Sequence, residues 1–294
     1  MPVFWWFFAA GTIITIFLAW IVYRRYRLHN LLIRQPGSRV GRMQWMDMGP
    51  TPLGEKGYTP QGMTCVDARI VFANSWKNTR SRVYEIFPDR MKIDRTFDMP
   101  HEAVHTSGLA WDGQYLWAVD YISNRAYCID LEPSLTTGSA RVVGTFVTTL
   151  RGTSACCFVP WEDEQLLAIS DYRRTQQTIF VRHEKAMKEG TAARSIAFAY
   201  RNDGFSQGLE FANGFLYEAE NKLGINVLNK IELDALRSTR DVRTATVMQY
   251  PTPSKGVEDL AWDGSALWTS DESVFRFFKQ VPDSLGRQPT TDVI

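Results

Sequence analysis

One pattern recurs five times along the chain, and it restricts the possible folds more than any other feature of the sequence. The segment SGLAWDGQYLW, which begins at Ser107, is nearly repeated as EDLAWDGSALW from Glu258, and a third copy of the same form begins at Gln207. Weaker copies begin at Gln61 and Ser154, so the five starts are spaced 46, 47, 53 and 51 residues apart. Spacing of this regularity predicts a repeat architecture.

Each repeat predicts two strands joined by a tight turn. Dipeptides such as Asp112-Gly113 and Asn213-Gly214 tolerate the positive φ angles that two-residue hairpins require. Two further strands follow, with a short insert before the last, and four strands in about 50 residues are typical of a propeller blade. We therefore predict an all-β, five-bladed β-propeller with blades starting near residues 58, 104, 151, 204 and 255. The alternative, an open β-sandwich, does not account for five repeats.

The last repeat lacks a convincing fourth strand. Residues 42–48 (RMQWMDM) have the pattern of a fourth strand but precede the first blade. We predict that this segment completes the last blade and closes the ring, because closure removes the exposed strand edges. The propeller would then comprise residues 42–294.

The composition limits the partners. The chain has 294 residues, 45% of them hydrophobic and 22% charged, as in ordinary globular proteins. A formal net charge of +1 gives no support for nucleic acid as a partner.

The N-terminal segment is predicted to be a membrane anchor. Residues 1–23 carry no charged side chain, and a helix of that length would span a bilayer core. Residues 24–41 are basic and are predicted to form a juxtamembrane linker. By the positive-inside rule we expect a single-pass protein with its N-terminus outside, its propeller in the cytoplasm and the lipid bilayer as a partner of residues 1–23.

Two sets of polar residues are predicted to lie at one mouth of the central channel, because they recur at the start of each first strand and the end of each second strand. The first set is Gln61, Ser107, Ser154, Gln207 and Glu258. The second set is Asn74, Asp120, Asp171, Glu220 and Asp271. Side chains of the first set vary between blades, as a ligand site requires, whereas the repeated acids of the second set either cap loops or line the same site.

Glu218 differs from its counterparts in the other repeats. The equivalent residues are Phe72, Ala118, Ile169 and Thr269. A partly buried glutamate at such a position would have a raised pKa, which suits a general acid or base. A salt bridge to a nearby Lys or Arg is the alternative.

The sequence predicts no metal centre and no cofactor. His101 to His105 matches H-E-x-x-H, but Pro100 and the following strand leave no room for the helix that this zinc motif needs. His105 could still line the mouth beside Ser107. A divalent cation held by the acidic second set remains an alternative.

Two blades carry motifs of a known family. Phe205–Leu209 reads FSQGL and is followed by LYE at Leu216–Glu218, while Ala73–Trp76 reads ANSW. These segments resemble motifs of the plant and bacterial glutamine cyclotransferases, five-bladed propellers that convert N-terminal glutamine to pyroglutamate with loss of ammonia. The resemblance implies that Glu218 transfers protons and Gln207 contacts the substrate. It also implies that Asn74 and Trp76 line the pocket.

Three functions therefore remain open at this mouth. The chain could be an anchored propeller that binds a small molecule or peptide, as a cyclotransferase-like enzyme does. It could instead be a non-catalytic interaction module that uses Trp76, Tyr121 and Tyr172 as contacts. The third alternative is a metal-dependent lactonase or esterase.

Overall fold

The fold is a five-bladed β-propeller, as predicted. The computed structural model describes residues 12–23, 39–52, 57–172, 175–222 and 225–280. Five sheets each contain four antiparallel strands in radial order, and the fourth sheet carries one additional strand. The first strands of the five blades surround the axis, and each contacts the first strands of the blades on either side.

The strands are numbered in chain order. Blade 1 comprises β3 (Tyr58–Val66), β4 (Arg69–Trp76), β5 (Arg80–Phe87) and β6 (Lys92–Asp98). Blade 2 comprises β7 (Thr106–Trp111), β8 (Leu116–Asp120), β9 (Arg125–Asp130) and β10 (Arg141–Val147). Blade 3 comprises β11 (Thr153–Trp161), β12 (Glu164–Asp171), β13 (Gln177–Val181) and β14 (Ile196–Arg201). Blade 4 comprises β15 (Phe205–Ala212), β16 (Phe215–Lys222), β17 (Ile225–Glu232) and β18 (Thr246–Pro251). Blade 5 comprises β19 (Val257–Trp262), β20 (Leu267–Asp271), β21 (Arg276–Gln280) and β2 (Trp45–Pro50).

Short helices lie between the third and fourth strands of blades 2, 3 and 4. Residues 12–23 form helix α1. The other helices are α2 (Leu131–Thr137), α3 (His183–Glu189), α4 (Leu233–Thr239) and α5 (Val242–Ala245).

The repeated Asp and Trp of the D-G-x-x-L-W pattern stabilise the first hairpin of a blade. In blade 2, Asp112 Oδ1 accepts hydrogen bonds from the backbone N–H groups of Gln114 and Tyr115, at 2.7 and 2.6 Å. Its second oxygen accepts from Trp117 Nε1 at 2.8 Å. Asp263 makes the same bonds in blade 5, including one of 2.7 Å from Trp268 Nε1. One carboxylate thus satisfies the turn and positions a large core side chain.

Small residues let the inner strands approach one another closely. A Cβ atom on Gly62 would lie 2.7 Å from the backbone of Gly108, and one on Gly108 would lie 2.6 Å from the Cα atom of Ala155. Gly208 is equally close to the backbone of Asp259, at 2.9 Å. Glycine is required here because backbone occupies the space of a side chain.

The N-terminal segment closes the ring. Strand β2 pairs antiparallel with β21 and forms the outer strand of blade 5. It begins at Trp45, inside the predicted segment 42–48, and ends two residues beyond that segment, at Pro50. Ahead of it, β1 (Arg39–Val40) pairs parallel with β18 of blade 4. Parallel bridges from the insert of the following blade occupy the corresponding place on blades 1, 2 and 3. Strand β1 therefore adds parallel pairing to the outer strand of blade 4, as residues of the inserts do for blades 1, 2 and 3.

The predicted membrane anchor is contradicted. No helix within the described ranges is long and apolar enough to cross a membrane. The expectation of a single-pass protein with a cytoplasmic propeller is therefore wrong. Residues 1–11 and 24–38, on which that expectation also drew, lie outside the described residues.

We expect Gly108→Ala to destabilise the propeller by about 2 kcal/mol, because the added methyl group would force two inner strands apart. Thermal unfolding of the full chain measures the loss. Gly144→Ala is the matched control, since its methyl group would meet the flexible side chain of Met187 instead of backbone. Equal losses in the two variants would contradict close backbone packing at the axis.

Candidate functional site

A bulge at the start of each inner strand carries the first set of polar residues. In blade 2, Thr106 pairs with Asp120 and Gly108 with Val119, which leaves Ser107 as the extra residue. The same register shift leaves Ser154 of blade 3 and Gln207 of blade 4 without a pairing partner in the sheet. In blades 1 and 5 the shift covers two residues, and these include Gln61 and Glu258. Bulges of this kind redirect side chains at barrel rims and beside active sites.

The two serines of this set join neighbouring strands. Ser107 Oγ donates to the carbonyl oxygen of Thr153 at 2.6 Å, which ties blade 2 to blade 3. Ser154 Oγ lies 2.9 Å from Ser170 Oγ in its own blade. Both hydroxyl groups are thus engaged within the propeller, and the longer side chains of this set belong to blades 1, 4 and 5.

The second set binds backbone N–H groups. Asp271 Oδ2 accepts from Gly256 N at 2.9 Å, and its Oδ1 accepts from Val274 N at 2.8 Å. The carboxylates of the other blades accept from backbone N–H groups in the same way. Asp120 accepts from His105 and Ser123, and Asp171 accepts from Arg151 and Thr175. Glu220 accepts from Asp203 and Gly204. Asn74 instead donates to the carbonyl oxygen of Pro52. All five side chains are buried, and these bonds agree with loop capping.

Two glutamates meet at the mouth on blade 5. Glu258 is partly exposed and receives a hydrogen bond of 2.8 Å from Gln207 Nε2 on blade 4. Its carboxyl group also shares a hydrogen bond with Glu272, in the loop after β20. The loss of hydration raises the pKa of Glu258 well above its usual range, and the neighbouring Glu272 raises it further. Loss of hydration also raises the pKa of Glu272.

Gln207 has an unsatisfied acceptor beside this pair. Its side chain is 5% exposed, and within the described part of the chain no donor reaches its Oε1 atom. A buried acceptor without a partner is costly, so a donor that reached this atom would stabilise the protein.

A second polar group lies on the blade 1 side of the mouth. His105 Nε2 is 2.7 Å from Gln61 Oε1, and its Nδ1 contacts the Asn78 side chain. The His105 ring packs against Tyr121, with centroids 5.3 Å apart. Burial lowers the pKa of His105, although Asp120 acts in the opposite direction. The contact with His105 therefore holds the Gln61 side chain in place.

Aromatic side chains surround these groups. Tyr172 packs on Phe205 at a centroid distance of 5.4 Å, and Tyr58 packs on Trp76 at 6.3 Å. All four rings are partly exposed. The mouth thus combines an acidic pair and two amides with apolar surface, which is the usual composition of a small-molecule or peptide site.

Glu218 lies below the mouth, within the packing between blades 3 and 4. Its side chain is fully buried. Its charge acts on Tyr200 and Cys157, both in blade 3, so the carboxyl group is close to them. The structure therefore separates Glu218 from the Glu258–Glu272 pair, which is at the surface of the mouth.

Sequence reasoning missed Glu272 and two acids inside the channel. Glu272 immediately follows Asp271, at the position that carries Tyr121 and Tyr172 in other blades, and this difference was the available signal. Asp259 is fully buried and accepts from Met63 N at 2.9 Å on blade 1. Burial raises the pKa of Asp259, and it raises that of Glu210 to about 8.

The acidic groups do not form a recognisable metal centre. Within the ranges that the structure covers, no group of three or more His, Cys, Asp or Glu side chains is arranged to hold an ion. The carboxylates of the second set accept hydrogen bonds from backbone N–H groups instead.

The comparisons with known proteins concern the fold. No protein-family model and no curated protein matches the chain. Among solved structures it is similar to glutaminyl cyclase from Myxococcus xanthus, with a TM-score of 0.58, 14% identity, and coverage of 83% of this chain and 98% of that one. A protein of unknown function from Bacteroides caccae gives a TM-score of 0.44, 11% identity, and coverage of 67% and 73%. A chain of the mitotic checkpoint complex gives a TM-score of 0.44, 11% identity, and coverage of 76% of this chain and 73% of that one. The expected resemblance to the fold of the glutamine cyclotransferases is thus confirmed.

We expect the stability of Glu258→Gln, relative to the wild type, to increase as pH rises from 5 to 8. The raised pKa of Glu258 means that the folded state binds more protons than the unfolded state above the ordinary glutamate pKa, so rising pH destabilises the wild type. Glutamine cannot ionise and removes this effect. Urea unfolding at several pH values measures the difference.

Glu85→Gln is the control of opposite sign. Burial opposes ionisation of Glu85, but hydrogen bonds from Arg95 and Arg69 outweigh it and lower its pKa. Ionised Glu85 stabilises the folded state, so Glu85→Gln should be less stable than the wild type at pH 7. The difference should become smaller as pH falls below the ordinary glutamate pKa, because protonation of Glu85 weakens the same interactions in the wild type. A pH-independent effect of Glu258→Gln would contradict the raised pKa of Glu258.

Proposed function

We propose that the mouth binds the amino terminus of a glutaminyl peptide and catalyses its cyclisation to pyroglutamate with release of ammonia. The observation that carries this proposal is the position of the Glu258 and Glu272 carboxyl groups next to each other, with Gln207 bonded to Glu258 and its own Oε1 atom unsatisfied. The similarity in fold to a glutaminyl cyclase supports the choice of substrate.

The reaction needs an acid and a base at one place. The α-amino nitrogen attacks the γ-carbonyl carbon, a new C–N bond forms, and the bond from that carbon to the amide nitrogen breaks. The attacking nitrogen loses a proton and the departing nitrogen gains one, so that ammonia leaves. A carboxyl–carboxylate pair can perform both transfers, with the Glu272 carboxylate accepting a proton and the Glu258 carboxyl group donating one.

The other groups at the mouth would position the substrate. Gln207 Oε1 would accept a hydrogen bond from a substrate N–H, which would satisfy its buried lone pairs. Gln61, held by His105, would contact the polarised γ-carbonyl group from the blade 1 side. Tyr121, Tyr172 and Trp76 would cover the apolar part of the peptide.

Glu218 is the rival candidate for the acid or base. It was singled out because a glutamate replaces the mostly apolar residue of the other blades and because of the LYE motif. Its complete burial between blades 3 and 4 favours the Glu258–Glu272 pair, since a proton-transfer group must reach the reacting atoms.

We expect the full chain to release ammonia from a peptide with N-terminal glutamine and to leave a product lighter by one ammonia. Glu258→Gln and Glu272→Gln should each lower kcat by about 10²- to 10⁴-fold, because each removes one of the two proton carriers. Ammonia release and peptide mass spectrometry measure the reaction.

Two further variants complete this test. Glu162→Gln, in the exposed turn after β11 at the other face of the propeller, should retain full activity. Glu218→Gln should retain most of it, and a loss as large as that of Glu258→Gln would transfer the role to Glu218. A folded wild-type protein without turnover would contradict the cyclisation itself.

A further inference from the structure

The rim of blade 1 carries a row of aromatic and cationic side chains. Tyr58, Trp76 and Arg80 are paired neighbours across β3, β4 and β5. The Arg80 guanidinium lies over both rings, 5.0 Å from the Trp76 centroid and 5.7 Å from that of Tyr58, and it donates to Tyr58 Oη at 2.7 Å. Lys77 Nζ lies 5.2 Å from the Trp76 centroid. Two cations are thus held against one indole ring.

This row faces the acidic side of the mouth. Phe72, Asn74 and Trp76 alternate along β4 and therefore share one face of blade 1. Phe72 packs edge-on against Phe277 of blade 5, with centroids 4.8 Å apart, so this face is directed towards blade 5. The β20–β21 loop of blade 5 carries Glu272.

The turn between β4 and β5 is also connected to the mouth directly. Lys77 and Asn78 both adopt left-handed backbone conformations, with φ angles of 49° and 55°. The Asn78 side chain contacts His105, which in turn contacts Gln61. Lys77 therefore precedes a residue that belongs to the hydrogen-bond network of the site.

Among the residues that the structure describes, Lys77 and Arg80 have no carboxylate partner, whereas Arg82 and Arg95 have one. Within the described ranges, no carboxylate lies within 4.0 Å of Lys77 or Arg80. Arg82, on the same strand as Arg80, pairs with Asp98 at 2.6 Å. A cation that rests on aromatic rings without a carboxylate partner keeps its charge available to a ligand.

We propose that Lys77 and Arg80 bind a carboxylate of the substrate peptide, downstream of its N-terminal glutamine. Preferred substrates would then carry an acidic residue close behind the glutamine. The amino terminus would lie at the Glu258–Glu272 pair and the carboxylate at the cationic row, so the opposite charges would set the direction of the peptide across the junction of blades 5 and 1. This inference rests on the proposed function for the position of the amino terminus.

The test compares two peptides in the full-length protein. Both begin Gln-Gly and are amidated at the C-terminus, and they differ only in having Glu-Glu or Lys-Lys at the next two positions. We expect kcat/KM to be about tenfold higher for the acidic peptide, since two partly exposed ion pairs are involved. The preference should decrease as salt is raised from 0.05 to 0.5 M, values chosen to shorten the Debye length from about 14 to about 4 Å.

Substitution assigns the preference to the row. The double variant Lys77→Gln, Arg80→Gln should treat the two peptides alike, and its thermal unfolding shows whether it remains folded. Arg90→Gln is the matched control, because Arg90 also stacks on an aromatic ring of blade 1, 4.8 Å from the centroid of Phe87, but lies in the turn before β6 at the other end of the blade. This control should keep the full preference.

A binding measurement separates this inference from the cyclisation. Calorimetry with the same two peptides beginning Ala-Gly, which cannot cyclise, should show tighter binding of the acidic peptide by the wild type and equal binding by the double variant. That result without turnover of any glutaminyl peptide would retain the carboxylate site and contradict the cyclisation. Equal binding or turnover of the two peptides by the wild type, or a preference that survives in the double variant, would overturn the inference.

Discussion

The close contact of the five inner strands is the constraint on which the other features of the molecule depend. Gly62, Gly108 and Gly208 allow backbone to meet backbone between neighbouring blades, and Asp259 reaches from blade 5 to an N–H group of blade 1. A bulge lies directly before each of these glycines and at the equivalent position in blades 3 and 5. This bulge determines which side chain the strand presents at the mouth.

Charge is distributed unevenly around that mouth. Blade 5 contributes two neighbouring carboxyl groups, blade 1 contributes cations stacked on aromatic rings, and the buried amides of Gln61 and Gln207 also lie at this mouth. Each group is unfavourable alone: two carboxylates repel, and a buried amide oxygen without a donor is not satisfied. Such local costs are typical of sites that complete their bonding with a ligand.

The repeated acids show how a sequence pattern can serve two purposes. Asp120, Asp171 and Asp271 recur because every blade needs the same loop cap, whereas Glu258 and Glu272 break the pattern of their neighbours and lie at the mouth. Deviation between repeats was thus a better guide to the candidate site than repetition. Glu218 also deviates, but alternation along β16 directs it into the packing with blade 3.

The sequence by itself determined the number of blades, the hairpin turns and the positions at which the mouth residues start, because spacing and turn chemistry are local properties of the chain. It also placed Gln207 and Glu258 in one set, although they are 51 residues apart, since the repeats could be aligned. Only the tertiary structure decided that Glu272 joins Glu258, that Lys77 and Arg80 stack on Trp76, and that no helix of the described ranges is long and apolar enough to cross a membrane. Contacts between blades depend on strand register and twist, and neither is encoded in the residue spacing within one repeat.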